Sequence, residues 1–172
     1  MKKLFAAILA LCLMLSVAAA ETIDTITWDA VEGNLADMGL TGDFYAIEVL
    51  GLKIWIPTGL DPQEVPEEDA AAGRLAMFTA DDGSFLVVDA ANVEGMTIDG
   101  LLESTQAAEG LTDVEMVIAN GLSFVIYRSE ELNCWSASLV DTNSNIINFL
   151  LGPAEDGSKE AFSIIVASIQ PV

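Results

Sequence analysis

Histidine is absent from this chain of 172 residues. That absence removes the imidazole a cysteine or serine nucleophile needs as its proton acceptor, and with it Cys-His and Ser-His-Asp catalysis. Histidine-containing metal sites go the same way, and with only two cysteines a cysteine-rich zinc site goes too. One of the two, Cys12, lies in an N-terminal apolar segment, so Cys134 has no intramolecular disulfide partner once that segment is removed. Positive charge is scarce as well. Six lysines and arginines face 27 aspartates and glutamates, a net charge of −21. A field of that sign repels nucleic acid and anionic membranes and favours cations and basic partners. After the first twenty residues no apolar run approaches the ~20 residues of a membrane helix, and no repeat, low-complexity tract or linker divides the chain.

The first twenty residues, "MKKLFAAILALCLMLSVAAA", read as a secretion signal. Lys2 and Lys3 supply the charged start, Leu4 to Val17 the apolar stretch, and Ala18-Ala19-Ala20 a small-residue cleavage pattern. Acylation of Cys12 would put Leu11 where a small residue is needed and leave too short an apolar stretch, so cleavage after Ala20 is expected. The mature chain is then exported without insertion in a membrane. It keeps all 27 acids and only Lys53, Arg74, Arg128 and Lys159 as cations. The expected organisation is a signal over 1–20, a leader with a short helix over 21–41, and one domain over 42–172, acting as a monomer.

Trp28, Val31, Leu35 and Met38 recur at helical spacing and predict a first helix near 28–39. "DFYAIEVL" and "LKIWIP" predict strands around Gly51, and the acidic "DPQEVPEEDAAAG" a surface loop or short helix. Two β-rich runs flank Asp82-Gly83, a hairpin pair because the turn needs positive φ. "TIDGLLESTQAAEG" puts Ile98, Leu101, Leu102 and Thr105 on one helical face, with Thr97 as cap and Gly110 as stop. Residues 112–151 predict a four-stranded antiparallel meander turning at Asn120-Gly121 and "DTNSN". Phe162, Ile165, Val166 and Ile169 close with an amphipathic helix near 157–169. The expected class is α+β, an antiparallel sheet covered by helices with a C-terminal amphipathic helix.

In this order the elements resemble the PsbP-like α/β sandwich. The resemblance rests on "DFYAIEVLGLKIWIPTGL" as a strand ending in Pro, a central helix, "NGLSFVIYR" as an Asn-Gly-led strand, and a helix closing with "IIVASIQP". That group includes the extrinsic PsbP proteins of the oxygen-evolving complex, DcrB-type bacterial lipoproteins and small secreted bacterial proteins. The resemblance implies this fold and roles in binding or assembly. It transfers no functional residue, because the matching positions are turns and core.

Each candidate site meets a competing structural reading. "NCWSAS" around Cys134 has the look of a protease nucleophile, but no base exists for it. As a strand it turns Trp135, Ala137 and Leu139 to the core and Cys134, Ser136 and Ser138 to its more polar side, and the pattern leaves open whether the thiol is accessible or buried. A Ser-Lys dyad would need a desolvated Lys53 or Lys159, whereas Lys53 alternates with Leu52 and Ile54 and Lys159 opens a surface helix. Paired carboxylates are the one catalytic class still supplied, with Asp89 and Glu48 in apolar strand runs. "DTNSN" begins like a calcium loop, yet Ile146 stands where the sharp-turn glycine belongs and Gly152 where the closing Glu belongs. Glu67, Glu68 and Asp69 form an acidic patch that could hold cations or a basic partner. Trp55, opposite the Leu52, Ile54 and Ile56 face, is either covered by the helix that starts at Trp28 or part of an aromatic binding surface.

These observations lead to the expectation of a secreted, non-catalytic binding domain for a protein or cationic ligand. Its candidate surface is Trp55, Glu67, Glu68 and Asp69, and no cofactor, bound metal or nucleic acid is expected. The alternatives are a carboxylate-only hydrolase and a calcium-dependent surface-binding protein.

Overall fold

Alternating apolar residues and left-handed turn residues lay down the larger of two sheets. In the computed structural model, which describes residues 23–155 and 157–172, a meander runs through β7 (Leu111–Ala119), β8 (Leu122–Ser129), β9 (Cys134–Val140) and β10 (Asn145–Gly152). Asn120 at φ +48° and Gly121 at φ +80° make the β7–β8 turn, both in the left-handed region that a two-residue hairpin demands. A second hairpin, β5 (Arg74–Thr79) and β6 (Phe85–Asn92), joins it through antiparallel β6–β10 pairing. Two short strands complete the edges: β1 (Asp24–Ile26) runs parallel to β7, and β4 (Asp61–Gln63) pairs with β5. The order is β1-β7-β8-β9-β10-β6-β5-β4.

The second layer is a three-stranded sheet in the order β11-β3-β2, made of β2 (Gly42–Ile47), β3 (Leu52–Pro57) and β11 (Gln170–Pro171). A 3-10 turn over Glu48–Leu50 links β2 to β3, with Gly51 at φ +62° supplying the reversal. Beside this sheet lies α4 (Ser158–Ser168), whose Phe162, Ile165 and Val166 are at most 1 % exposed. The core fills the space between the layers: Ile54 and Ile56 of β3 and the apolar face of α4 meet Phe78, Phe124 and Phe149 of the large sheet. Each such side chain contributes on the order of 1.5–3 kcal/mol by leaving water.

Three more helices cover what remains. On the outer side of β3, α1 (Trp28–Leu35) packs Trp28 and Leu35 against Trp55. The five-residue α2 (Glu67–Ala71) leads into β5. α3 (Ile98–Ala107) packs across β7 and β8, its buried Leu101 and Thr105 lying outside the main core. As expected, Thr97 caps α3, its Oγ1 accepting from the Gly100 N–H at 3.1 Å. No helix of the described residues is long and apolar enough to cross a membrane. The expected signal over 1–20 lies outside the described residues.

From Asp24 onward the expected leader is tied into the domain. Asn120 does much of the tying. Its Oδ1 accepts the Trp28 N–H at 2.9 Å, while its Nδ2 donates to the carbonyls of Ala167 at 2.8 Å and Ile169 at 2.9 Å. The Ser168 hydroxyl in turn accepts the Trp55 N–H at 2.8 Å.

The structure decides a point the sequence leaves open. Trp135, Ala137 and Leu139 face the core, and Cys134, Ser136 and Ser138 on the other side are buried too, at 0, 1 and 0 % exposed. Their face of the sheet is covered as well. α3 lies over the neighbouring strands, and the Ser138 hydroxyl is closed in between Tyr127 OH at 3.4 Å and Asn148 Oδ1 at 2.6 Å.

Candidate functional site

A groove opens where α1 crosses the outer face of β2 and β3. It is an open depression of about 370 Å³ whose walls include Trp28, Leu35, Phe44 and Trp55, with Glu32 and Asp43 also lining it. The local sequence explains the walls. Phe44 stands opposite Trp55 in the β2–β3 register, so both rings project to the side that α1 covers. Trp28 packs edge-on against Phe44 at 5.4 Å between ring centroids and tilted against Trp55 at 5.9 Å. The close approach needs a glycine at 42, because a Cβ there would meet the Trp55 ring at 2.6 Å and the Ile56 carbonyl.

The polar elements are as specific as the rings. Glu32 and Asp43 are exposed. The Trp28 Nε1 is buried without a hydrogen-bond partner, although a buried indole N–H ordinarily finds an acceptor. Lys53 holds its ammonium 4.9 Å from the Phe44 ring centroid, a cation–π contact that shows what this ring attracts. A second depression, of about 290 Å³, lies between the β3–β4 link and α4 and includes one carboxylate, Asp82. That carboxylate accepts the Ser84 N–H at 2.9 Å, which holds its pKa below the ordinary aspartate value.

The residues chosen from the sequence separate in the structure. Trp55 is 5 % exposed beneath α1, the covered one of its two readings, yet it also lines the groove. Glu67 and Glu68 are exposed on α2, away from the groove's lining. Asp69 is not free: its Oδ2 binds Arg74 Nη1 at 3.0 Å, and Arg74 Nε binds Asp89 Oδ1 at 3.0 Å. The hydrogen bond to Asp89 raises the Arg74 pKa against the opposing effect of burial. Asp89 is thus one arm of an ion-pair chain across β5 and β6, and Glu48 sits exposed in the 3-10 turn. Neither lines a depression described above.

The other candidates are occupied by local structure. Asp141 Oδ1 accepts the N–H groups of Asn143 and Asn145, and its Oδ2 accepts the Asn145 side-chain amide at 2.7 Å. Those bonds, the Asn145 amide first, lower its pKa and close the "DTNSN" turn. Among the described residues no group of three or more His, Cys, Asp or Glu is placed to hold a metal ion. Burial pushes the Cys134 thiol pKa up. Lys159 bridges to Glu115 at 3.1 Å and lies 5.2 Å from the Trp135 ring.

Sequence reasoning paired Trp55 with Trp28 but missed Phe44, Glu32 and Asp43. The signal was there for Phe44: in a hairpin around Gly51, the aromatic of "DFY" falls opposite that of "KIW".

No family model matches this chain, and no curated protein matches it. Among solved structures it is similar to the solution structure of cyanobacterial PsbP (CyanoP) from Synechocystis sp. PCC 6803. The TM-score is 0.53 at 16 % identity, over 92 % of this chain and 99 % of that one. The chain therefore has the PsbP-like fold, mixed α and β with a predominantly antiparallel large sheet.

Proposed function

We propose that this protein is a secreted, non-catalytic binding domain whose partner carries positive charge. The observation that carries the reading is the groove, with aromatic walls and Glu32 and Asp43 among its lining residues, on a strongly acidic chain. The four described cations are each engaged already: Arg74 with two aspartates, Lys159 with Glu115, Lys53 over Phe44, and Arg128 Nη2 on the Ala154 carbonyl at 3.3 Å. An incoming cation would find aromatic rings and Glu32 there, in the field of an acidic chain. The carboxylate-hydrolase alternative draws less support. Its acid needs apolar surroundings to hold a proton near neutral pH, whereas Glu32 and Asp43 are exposed. The shared fold supplies no function by itself.

Tryptophan emission during titration with hexalysine tests the reading, with hexaglutamate as control. A saturable change is expected with hexalysine alone, weakening between about 50 and 200 mM salt as charges are screened. No saturation at millimolar hexalysine would overturn the proposal. Hydrolysis of a peptide or sugar that Glu32→Gln or Asp43→Asn abolishes would put the hydrolase in its place.

A further inference from the structure

We propose that β2 is a docking edge, onto which an extended peptide adds as a fourth strand and lays a lysine or arginine in the adjoining groove. The inference deepens the binding reading and rests on it for the charge of the partner.

The sheet edges of this fold are treated unequally. β1 and β4 have three residues each and β11 two, and both β4 and β11 contain a proline, Pro62 and Pro171. Short length and proline are the ordinary means of preventing another strand from pairing at an edge. β2 has neither. It runs six residues, Gly42–Ile47, without proline, lysine or bulge, in unbroken register with β3 from Gly42↔Pro57 to Ile47↔Leu52. Among the described residues no strand pairs with its other side. Residues 43–46 are all exposed, with Phe44 39 % and Tyr45 40 % open. Tyr45 is braced from below by Phe78, edge-on at 5.0 Å, so the edge rests on the core.

An added strand gains main-chain hydrogen bonds for affinity and side-chain pockets at alternate positions for specificity. The groove beside Phe44 is such a pocket, and its charge selects the guest. Glu32 lines it and Asp43 stands at its rim on the β2 edge, whereas Lys53 is not among its lining residues, and Phe44 already accepts one ammonium. A second copy of the chain is a poor occupant, because each copy brings its own net charge of −21.

The test is amide NMR of the protein titrated with an alternating Lys-Val hexapeptide. Shifts and slowed hydrogen exchange are expected at residues 43–46, with shifts of the Trp28 and Trp55 indole N–H signals. Glu32→Lys, an exposed change, should weaken Kd about tenfold by reversing a charge at the groove. Shifts spread over the acidic surface without exchange protection at 43–46 would overturn the docking edge and leave the basic-partner reading standing. No binding by this peptide or by hexalysine would overturn both. Protection of 43–46 that rises with protein concentration in the absence of peptide would show that a second copy takes the edge, and overturns the proposal too.

Discussion

Asn120 shows how much one residue can carry. From the sequence it is half of an Asn-Gly turn, chosen because Asn tolerates positive φ. In the fold the same residue also joins the start of α1 to the end of α4 through three side-chain hydrogen bonds. Asn120→Ala removes all three and places an alanine at φ +48°. At about 0.5–1 kcal/mol per bond, plus about 1 kcal/mol for the left-handed backbone, a loss of about 2.5–4 kcal/mol is expected. Urea denaturation measures it, and a loss below about 0.5 kcal/mol would mean that water replaces these bonds at little cost. Cys134 teaches the reverse. Its strand alternation was legible, but alternation assigns faces without saying which are covered, and the cover here comes from an element in another part of the chain.

The same distinction separates what was legible among elements from what was not. Hairpins around Asp82-Gly83 and Asn120-Gly121, and the helices over Ile98–Ala107 and Ser158–Ser168, carry their period and turn chemistry in their own residues. β1 and β4, at three residues each, are too short to show a period and exist because a neighbouring strand offers hydrogen bonds. The groove falls between these cases. Its tryptophans could be paired from spacing, whereas the approach of Glu32 depends on how α1 crosses β3. Two glycine substitutions at this crossing should act with opposite signs. Gly42→Ala drives a methyl into the Trp55 ring and the Ile56 carbonyl and should cost about 1–3 kcal/mol as overpacking. Gly33→Ala, inside α1 with nothing within 4 Å of its Cβ, should stabilise by about 0.5–1 kcal/mol. Thermal unfolding of both variants decides it, and a stabilised Gly42→Ala would mean that the walls of the groove yield.

At the scale of the molecule, the net charge of −21 makes the folded state repel itself. Added sodium chloride should therefore raise Tm, and millimolar calcium should raise it no more than sodium chloride of equal ionic strength. A larger calcium shift would restore calcium-dependent binding as the better account. The architecture also has a consequence in time. Residues 165–172 supply the inner face of α4 with Ile165 and Val166, the Ser168 hydroxyl on Trp55, the carbonyls held by Asn120, and β11 beside β3. A chain emerging from the ribosome N-terminus first leaves β3 lacking one neighbour, and the Asn120 amide without acceptors, until that stretch appears. The seam between the two layers therefore stays incomplete until residues 165–172 have been made, which places their final closure late in the growth of this domain.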